Sequence, residues 1–375
     1  MKLGRRFKFS TTAGLLAVLA SPLFAPNTPS LRAAPINDVA DVQDEPVPPK
    51  VRDAVDKALL WLSQNQQPDG TWAHGGSAGT TAVPSLATLA LLARGHVPGQ
   101  GPYGEVLNKA IDFVLDSQQT DGPKKGLLAR EEGNSVMYEH GISTVMLSEV
   151  YGMVDDARRA RIDRALAMAV QVILDAQHPD GNKKSENDRG GWRYTPKSPD
   201  ADISCTGWQL MALRGAANAG AVVPRSALDE GLGYVKRCAC TQGGFSYQAH
   251  ANAPNQARTG TGILSTILIG GDKNAPEVTK AGDYLLANPP DVHVEFYYYA
   301  VYYDSQALNQ LGGKYYQTVY PKLVDHLLSL KQENGTFAPE GGGQENDAGD
   351  AYRTSMAVLA LCVPYRYLPL YQADK

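Results

Sequence analysis

Cysteine is scarce in this chain, four in 375 residues, and Cys205, Cys238, Cys240 and Cys362 show no C-x-x-C spacing. That excludes a disulfide scaffold and a zinc knuckle, and leaves buried free thiols or a single disulfide as the expectation. No run of basic residues occurs and the formal net charge is -4, so no nucleic-acid surface is expected. No apolar run reaches the roughly 20 residues of a bilayer-spanning helix, which argues against an integral membrane protein. A phosphate-binding glycine loop, a metal-ligand spacing and a Ser, Cys or Lys nucleophile set are likewise missing, so neither metal nor cofactor is expected. What remains is ordinary for a well-packed soluble protein: 43% hydrophobic and 20% charged residues, enough for a sizeable core.

The N-terminus carries Lys2, Arg5, Arg6 and Lys8 ahead of an apolar run from Ala13 that continues through Leu23 and Phe24. This is the layout of an export signal, and the expected organisation is signal peptide 1–25, a Pro- and Asp-rich linker 26–50 and a folded domain 51–371. The expected location is periplasmic or extracellular.

Beyond residue 50 the chain repeats itself. Residues 54–64 have helical apolar spacing and run into Gln66-Gln-Pro-Asp-Gly-Thr-Trp72, followed by an almost wholly apolar stretch, 80–93. The same sentence returns at Gln118-Gln-Thr-Asp-Gly122 with 140–150, and at Gln177-His-Pro-Asp-Gly181 and Gly191-Trp192 with 206–219. It returns again at Gly243-Gly-Phe245 with 259–269, in degenerate form around 278–311, and at Gly335-Thr-Phe337 with 354–361. Each unit pairs an amphipathic helix with one apolar on most faces, which must be the buried one. Six such hairpins without polar capping repeats predict a closed, all-α ring: an α/α toroid with about twelve main helices.

The Gln-x-x-x-Gly-x-Trp pattern at Gln66 to Trp72, with its variants, resembles the glutamine-tryptophan motif of the squalene and terpenoid cyclases, whose α/α toroid also serves protein prenyltransferase β subunits. In the class II cyclases an Asp-x-Asp-Asp motif protonates an isoprenoid double bond. Asp200-Ala-Asp202-Ile203 is similar at its first two carboxylates, which makes Asp202 the acid and Asp200 its neighbour by resemblance; Ile203 replaces the last Asp. The resemblance also implies a substrate enclosed between two helical barrels, so that a single barrel would need a partner or a lid. The prenyltransferase zinc ligands are not matched, because Ser204 and Arg353 stand where a thiolate and an imidazole belong.

In a closed ring the inner-helix starts converge on one rim. The residues expected there to contact a ligand are His140, Tyr298, Tyr302, Asp350, Tyr352 and Arg353, with Asp202 and Arg353 facing each other as an ion pair. Three readings follow. The first is a non-catalytic toroid that holds an apolar, isoprenoid-like small molecule or a protein partner. The second is a class II cyclase-like enzyme with Asp202 as general acid, and the third is a glycan-active toroid enzyme.

Overall fold

A computed structural model of the chain describes residues 47–72, 80–130, 135–179, 184–290, 294–341 and 344–372. The expected export signal and nearly all of the linker lie outside the described residues. The chain divides into two compact units, and the described residues all belong to the second, 33–375. Among the described residues there are twelve α-helices: α1 Pro49–Gln64, α2 Ala82–Ala93, α3 Gly104–Asp116, α4 Val136–Val150, α5 Asp156–Gln177, α6 Ile203–Asn218, α7 Arg225–Arg237, α8 Gln256–Gly270, α9 Pro276–Ala287, α10 Tyr297–Leu311, α11 Gly313–Ser329 and α12 Asp350–Leu361. One short antiparallel pair, β1 Phe245–Ser246 with β2 Pro254–Asn255, sits in the turn between α7 and α8.

The odd-numbered helices bury one stripe, as Val51, Val55, Leu59 and Leu62 do on α1, whereas α2, α4, α6, α8, α10 and α12 are buried on nearly all faces. The even helices therefore form the inner layer. They pack in order from α2 to α12, and α12 packs back against α2. The ring is closed, and the fold is the expected α/α toroid.

The turn glycines explain why the units stack at a fixed angle. Gly70, Gly126, Gly190, Gly243 and Gly335 all have φ between +81° and +97°. A Cβ on each would strike a backbone carbonyl of the next outer helix: Lys109 on α3, Met168 on α5, Glu230 on α7, Lys280 on α9 and, for Gly335, Lys57 on α1. The last of these contacts joins the sixth unit to the first. Glycine is needed both for its backbone conformation and for this close approach.

The first three units add a glutamine clamp. Gln66 Nε2 donates to Gly70 O and Val106 O, Gln118 to Gly126 O and Ala165 O, and Gln177 to Gly190 O and Ala227 O, at 2.9 to 3.3 Å. One amide thus ties its own turn to the next outer helix. Gln177→Ala would leave two buried carbonyls without their donor and is expected to cost about 2 kcal/mol, read from urea unfolding. The aromatic after the glycine seals the helix end: Trp72 Nε1 donates to Leu62 O at 2.9 Å and Trp192 Nε1 to Ile173 O at 2.7 Å.

These contacts correct one sequence expectation. In the second unit the glycine that docks is Gly126, since a Cβ on Gly122 meets nothing within 4 Å. Gly190 docks in the third, while Gly181 lies outside the described residues. Inserted residues separate glutamine from glycine in both units.

The two ends of the ring differ. At the C-terminal ends of the inner helices, residues 363–372 cross as a strap that packs on α6, α10 and α12. Gln310 Nε2 donates to Tyr371 O at 2.9 Å, and the Tyr371 and Tyr302 hydroxyls share a hydrogen bond. The N-terminal ends of the inner helices form the other face.

Candidate active site

Asp202 is the N-cap of α6, with extended backbone (φ -138°, ψ 159°) and a side chain that accepts from Cys205 N. Its Oδ1 takes that amide at 2.8 Å and the Ser204 hydroxyl at 3.1 Å, while Oδ2 takes the Tyr247 hydroxyl at 3.2 Å with Arg193 Nε 3.7 Å away. The residue is fully buried. Burial raises its pKa to about 6, against the opposing pull of the Cys205 amide, Ser204, Arg193 and Tyr247. The carboxyl is thus poised to hold or release a proton close to neutral pH.

The cluster around Asp202 is assembled by the turns of two neighbouring units. Tyr194 O accepts from Met137 N at the start of α4, and Tyr247 O accepts from Ile203 N at the start of α6, each at 3.0 Å. Both tyrosines stand two residues after the aromatic that seals a turn, Trp192 and Phe245, so equivalent positions of two units meet. Their hydroxyls bond each other. Arg193 lies 4.9 Å from the Tyr194 ring centre and 5.7 Å from that of Tyr247, and Arg258 covers Tyr247 at 5.1 Å. Asp200 forms an ion pair with Arg193 and is partly exposed. Nearby, burial pulls Lys184 down to about 8, and its ammonium donates to Gly191 O at 2.5 Å.

A second buried carboxylate serves the opposite side of the rim. Glu345 accepts from Tyr298 N at 2.9 Å, Tyr299 N at 2.7 Å and the Tyr352 hydroxyl at 2.9 Å, and so caps α10 from outside the helix. Burial raises it to about 7. Tyr299 on α10 bonds Thr261 at 2.7 Å; burial pushes its hydroxyl up, and Asp202 adds to that shift from across the ring. Tyr138, Tyr299 and Tyr352 are partly exposed, and burial of their rings pushes all three hydroxyls up. Trp208 stacks on the buried Tyr302 with ring centres 5.7 Å apart.

The structure brings some of the expected residues together and separates others. Asp202 and Asp200 lie at the mouth as described. Asp350, Tyr352, Arg353 and Tyr298 gather around the sixth turn: Arg353 pairs with Asp350 and donates to Phe337 O at 3.3 Å, and the Tyr298 hydroxyl donates to Ala338 O at 2.5 Å. The expected Asp202–Arg353 ion pair is not formed, because Arg193, nine residues before Asp202, takes that place. Tyr302 lies near the strap, away from the mouth. His140 is fully buried between units, its Nδ1 accepting from Leu128 N and its Nε2 facing Ala169 O, each at 3.0 Å. Burial lowers it to about 4, so the ring is neutral and both nitrogens are occupied.

The sequence does not single out Tyr194, Tyr247, Arg193 or Glu345 as site residues, whereas Tyr138 at the rim and Tyr299 in the aromatic run are legible in it. Of those four, only the first three have a sequence signal, the repeated position after the aromatic seal. Among the described residues no group of three or more His, Cys, Asp or Glu is arranged to hold a metal ion. No described helix is long and apolar enough to cross a membrane.

Six helical hairpins closed into a ring, with the buried acid Asp202 at the start of one inner helix, define an α/α toroid. No family profile matches the chain. Over 180 residues it is 29% identical to a drimenyl diphosphate synthase of Streptantibioticus cattleyicolor, covering 46% of this chain and 30% of that protein's length. The match thus spans less than a third of that relative. In structure the chain resembles the type II terpene cyclase MstE from Scytonema, with 14% identity and a TM-score of 0.51 over 85% of this chain and 99% of the other. A possible GH105 family member from Salmonella enterica gives 12% identity and a TM-score of 0.56 over 87% and 98%. These likenesses establish the fold. The MstE chain is matched almost end to end.

Proposed function

We propose that this chain is a class II cyclase-type enzyme that protonates an isoprenoid double bond with Asp202. This reading displaces the non-catalytic one that the sequence alone favoured. The observation that carries it is the buried Asp202 carboxyl, raised to about 6 and held between the Tyr247 hydroxyl and Arg193 at the start of an inner helix. The sequence match to a drimenyl diphosphate synthase adds support that the GH105-type likeness, at 12% identity, does not supply for sugars.

In the proposed step the Asp202 proton moves to one alkene carbon, the π electrons form the new C–H bond, and a cation remains on the other carbon for ring closure. The carboxylate left behind keeps the Cys205 amide, the Ser204 hydroxyl and the Arg193 guanidinium around it. Tyr247 covers Oδ2, so substrate entry requires it to give up that bond. Faces of the partly exposed Tyr138 and Tyr299 are available to stabilise a cation. Asp200 orients Arg193. Ligand contacts from Tyr298, Asp350, Tyr352 and Arg353 remain part of the proposal through the sixth turn, as does export, on the strength of the N-terminal basic and apolar residues.

The acid form of a carboxyl with a raised pKa is complete below the ordinary value of 3.8 and disappears as pH rises through about 6. Turnover is therefore expected to fall about tenfold per pH unit above 6. The test is incubation with squalene, a linear prenyl diphosphate and geranylgeranyl dihydroxybenzoate at pH 5 to 8, with products read by mass spectrometry. No cyclised product from any of them, or cleavage of a polysaccharide instead, would overturn the proposal.

A further inference from the structure

The base of the ring holds a carboxyl that the proposed chemistry does not use. Glu149, in the last turn of α4, is buried, and its Oε1 accepts the Leu370 amide at 3.0 Å, 221 residues away in sequence. Its Oε2 is buried and has no hydrogen-bond partner among the described residues. Leu370 belongs to the strap whose next residue, Tyr371, bonds the Tyr302 hydroxyl and approaches Met211 Sδ at 3.9 Å. One carboxyl therefore joins an inner helix to the segment that covers the lower end of the ring.

Among the described residues no cation answers Glu149 from the elements packed on α4. Arg94, just past the end of α2, pairs with Asp56; on α5 Arg158 and Arg161 pair with Asp112; and Arg214 on α6 donates to Leu268 O. Glu139 lies near the far end of α4, where it accepts from Thr81 N. Tyr151 and Asp163 face each other on the outer side. The strap itself presents Tyr365, which lies under Arg94, with Arg366 and Tyr371. Tyr302 and Tyr371 both feel Glu149, and both are kept neutral by burial.

We propose that residues 363–372 form a proton-dependent latch over the base of the ring, held shut by neutral Glu149. In support, burial raises Glu149 to about 8, with only the Leu370 amide opposing. Below that pH the neutral acid keeps the Leu370 bond without placing a charge in the core. Above it, a carboxylate with no counter-ion among the described residues reaches water most directly by displacing the strap, which uncovers Tyr302 from below. This inference does not depend on acid chemistry at Asp202.

Hydrogen exchange of the full chain, corrected for the intrinsic pH dependence, tests it. Protection of the Leu370 and Tyr371 amides is complete below pH 4.5 and is expected to fall at least tenfold between pH 5 and 8, levelling off above that, while amides in α3 and α5 stay unchanged. Glu149→Gln keeps an acceptor for the Leu370 amide and cannot ionise, so its strap is expected to stay protected to pH 9.5. A flat profile in the wild-type chain overturns the latch, as does uniform loss around the ring or the same pH dependence in E149Q. The first two outcomes need no variant to fold.

Discussion

Asp202→Asn is expected to lower cyclisation at pH 6 by about three orders of magnitude or more, the scale on which loss of a positioned general acid is felt. Its melting temperature should stay within a few degrees of wild type. Asparagine caps a helix about as well as aspartate, so the Cys205 amide keeps its acceptor. It also removes a titrating group whose raised pKa contributes stability that is complete below 3.8 and lost as pH rises through about 6. The variant should accordingly lose part of the wild-type decline in stability over that window. Asp200→Asn gives the contrast: it weakens the tether on Arg193 and should reduce activity far less, because no proton comes from it. Equal losses in the two variants would show that the pair acts as a structural unit and that Asp202 is not the acid. The comparison is of kcat on any substrate that the wild-type chain cyclises.

Gly335→Ala carries the largest expected effect on stability. The backbone there has φ +95°, and the new Cβ would lie 2.6 Å from the Lys57 carbonyl oxygen of α1. The left-handed backbone alone costs an L-residue about 1–2 kcal/mol. With the overlap, which neither backbone can relieve without shifting a whole hairpin, the loss should reach about 3–5 kcal/mol. Gly122→Ala is the control. It also has positive φ, +64°, but meets nothing within 4 Å, and should cost only about 1 kcal/mol. The two are compared by urea unfolding. Because Gly335 joins the last unit to the first, its replacement tests ring closure and local backbone fit together. A loss no larger than that of Gly122→Ala would mean that the two ends of the ring are only loosely joined.

The repeat was legible because its physics is local. A glycine turn, an aromatic seal and an apolar inner helix each leave a mark on a short stretch of sequence, and six such stretches are enough to predict a closed ring. The docking glycines of the second and third units were misplaced for a physical reason. Each must meet a carbonyl one unit further on, and loop insertions hide that partner from any spacing rule. Asp202 was legible as a helix cap and, by resemblance, as an acid. Its true surroundings were not, since they come from Tyr247 in the next unit and Tyr138 and Tyr299 on separate inner helices. Arg353 illustrates the limit of reasoning from opposite positions on a ring, because Asp350 three residues earlier satisfies it first. Glu345 illustrates another: a carboxylate that caps a helix from a distant loop carries no signature in the helix it serves.

The most direct test of the account is cyclisation in deuterium oxide, with wild type and Asp202→Asn run side by side. Proton addition by Asp202 predicts that each cyclised product molecule gains one solvent deuteron at the carbon attacked first, and that the variant yields almost none. Recovery of the substrate unchanged from the wild-type chain, or equal product from Asp202→Asn, would contradict it.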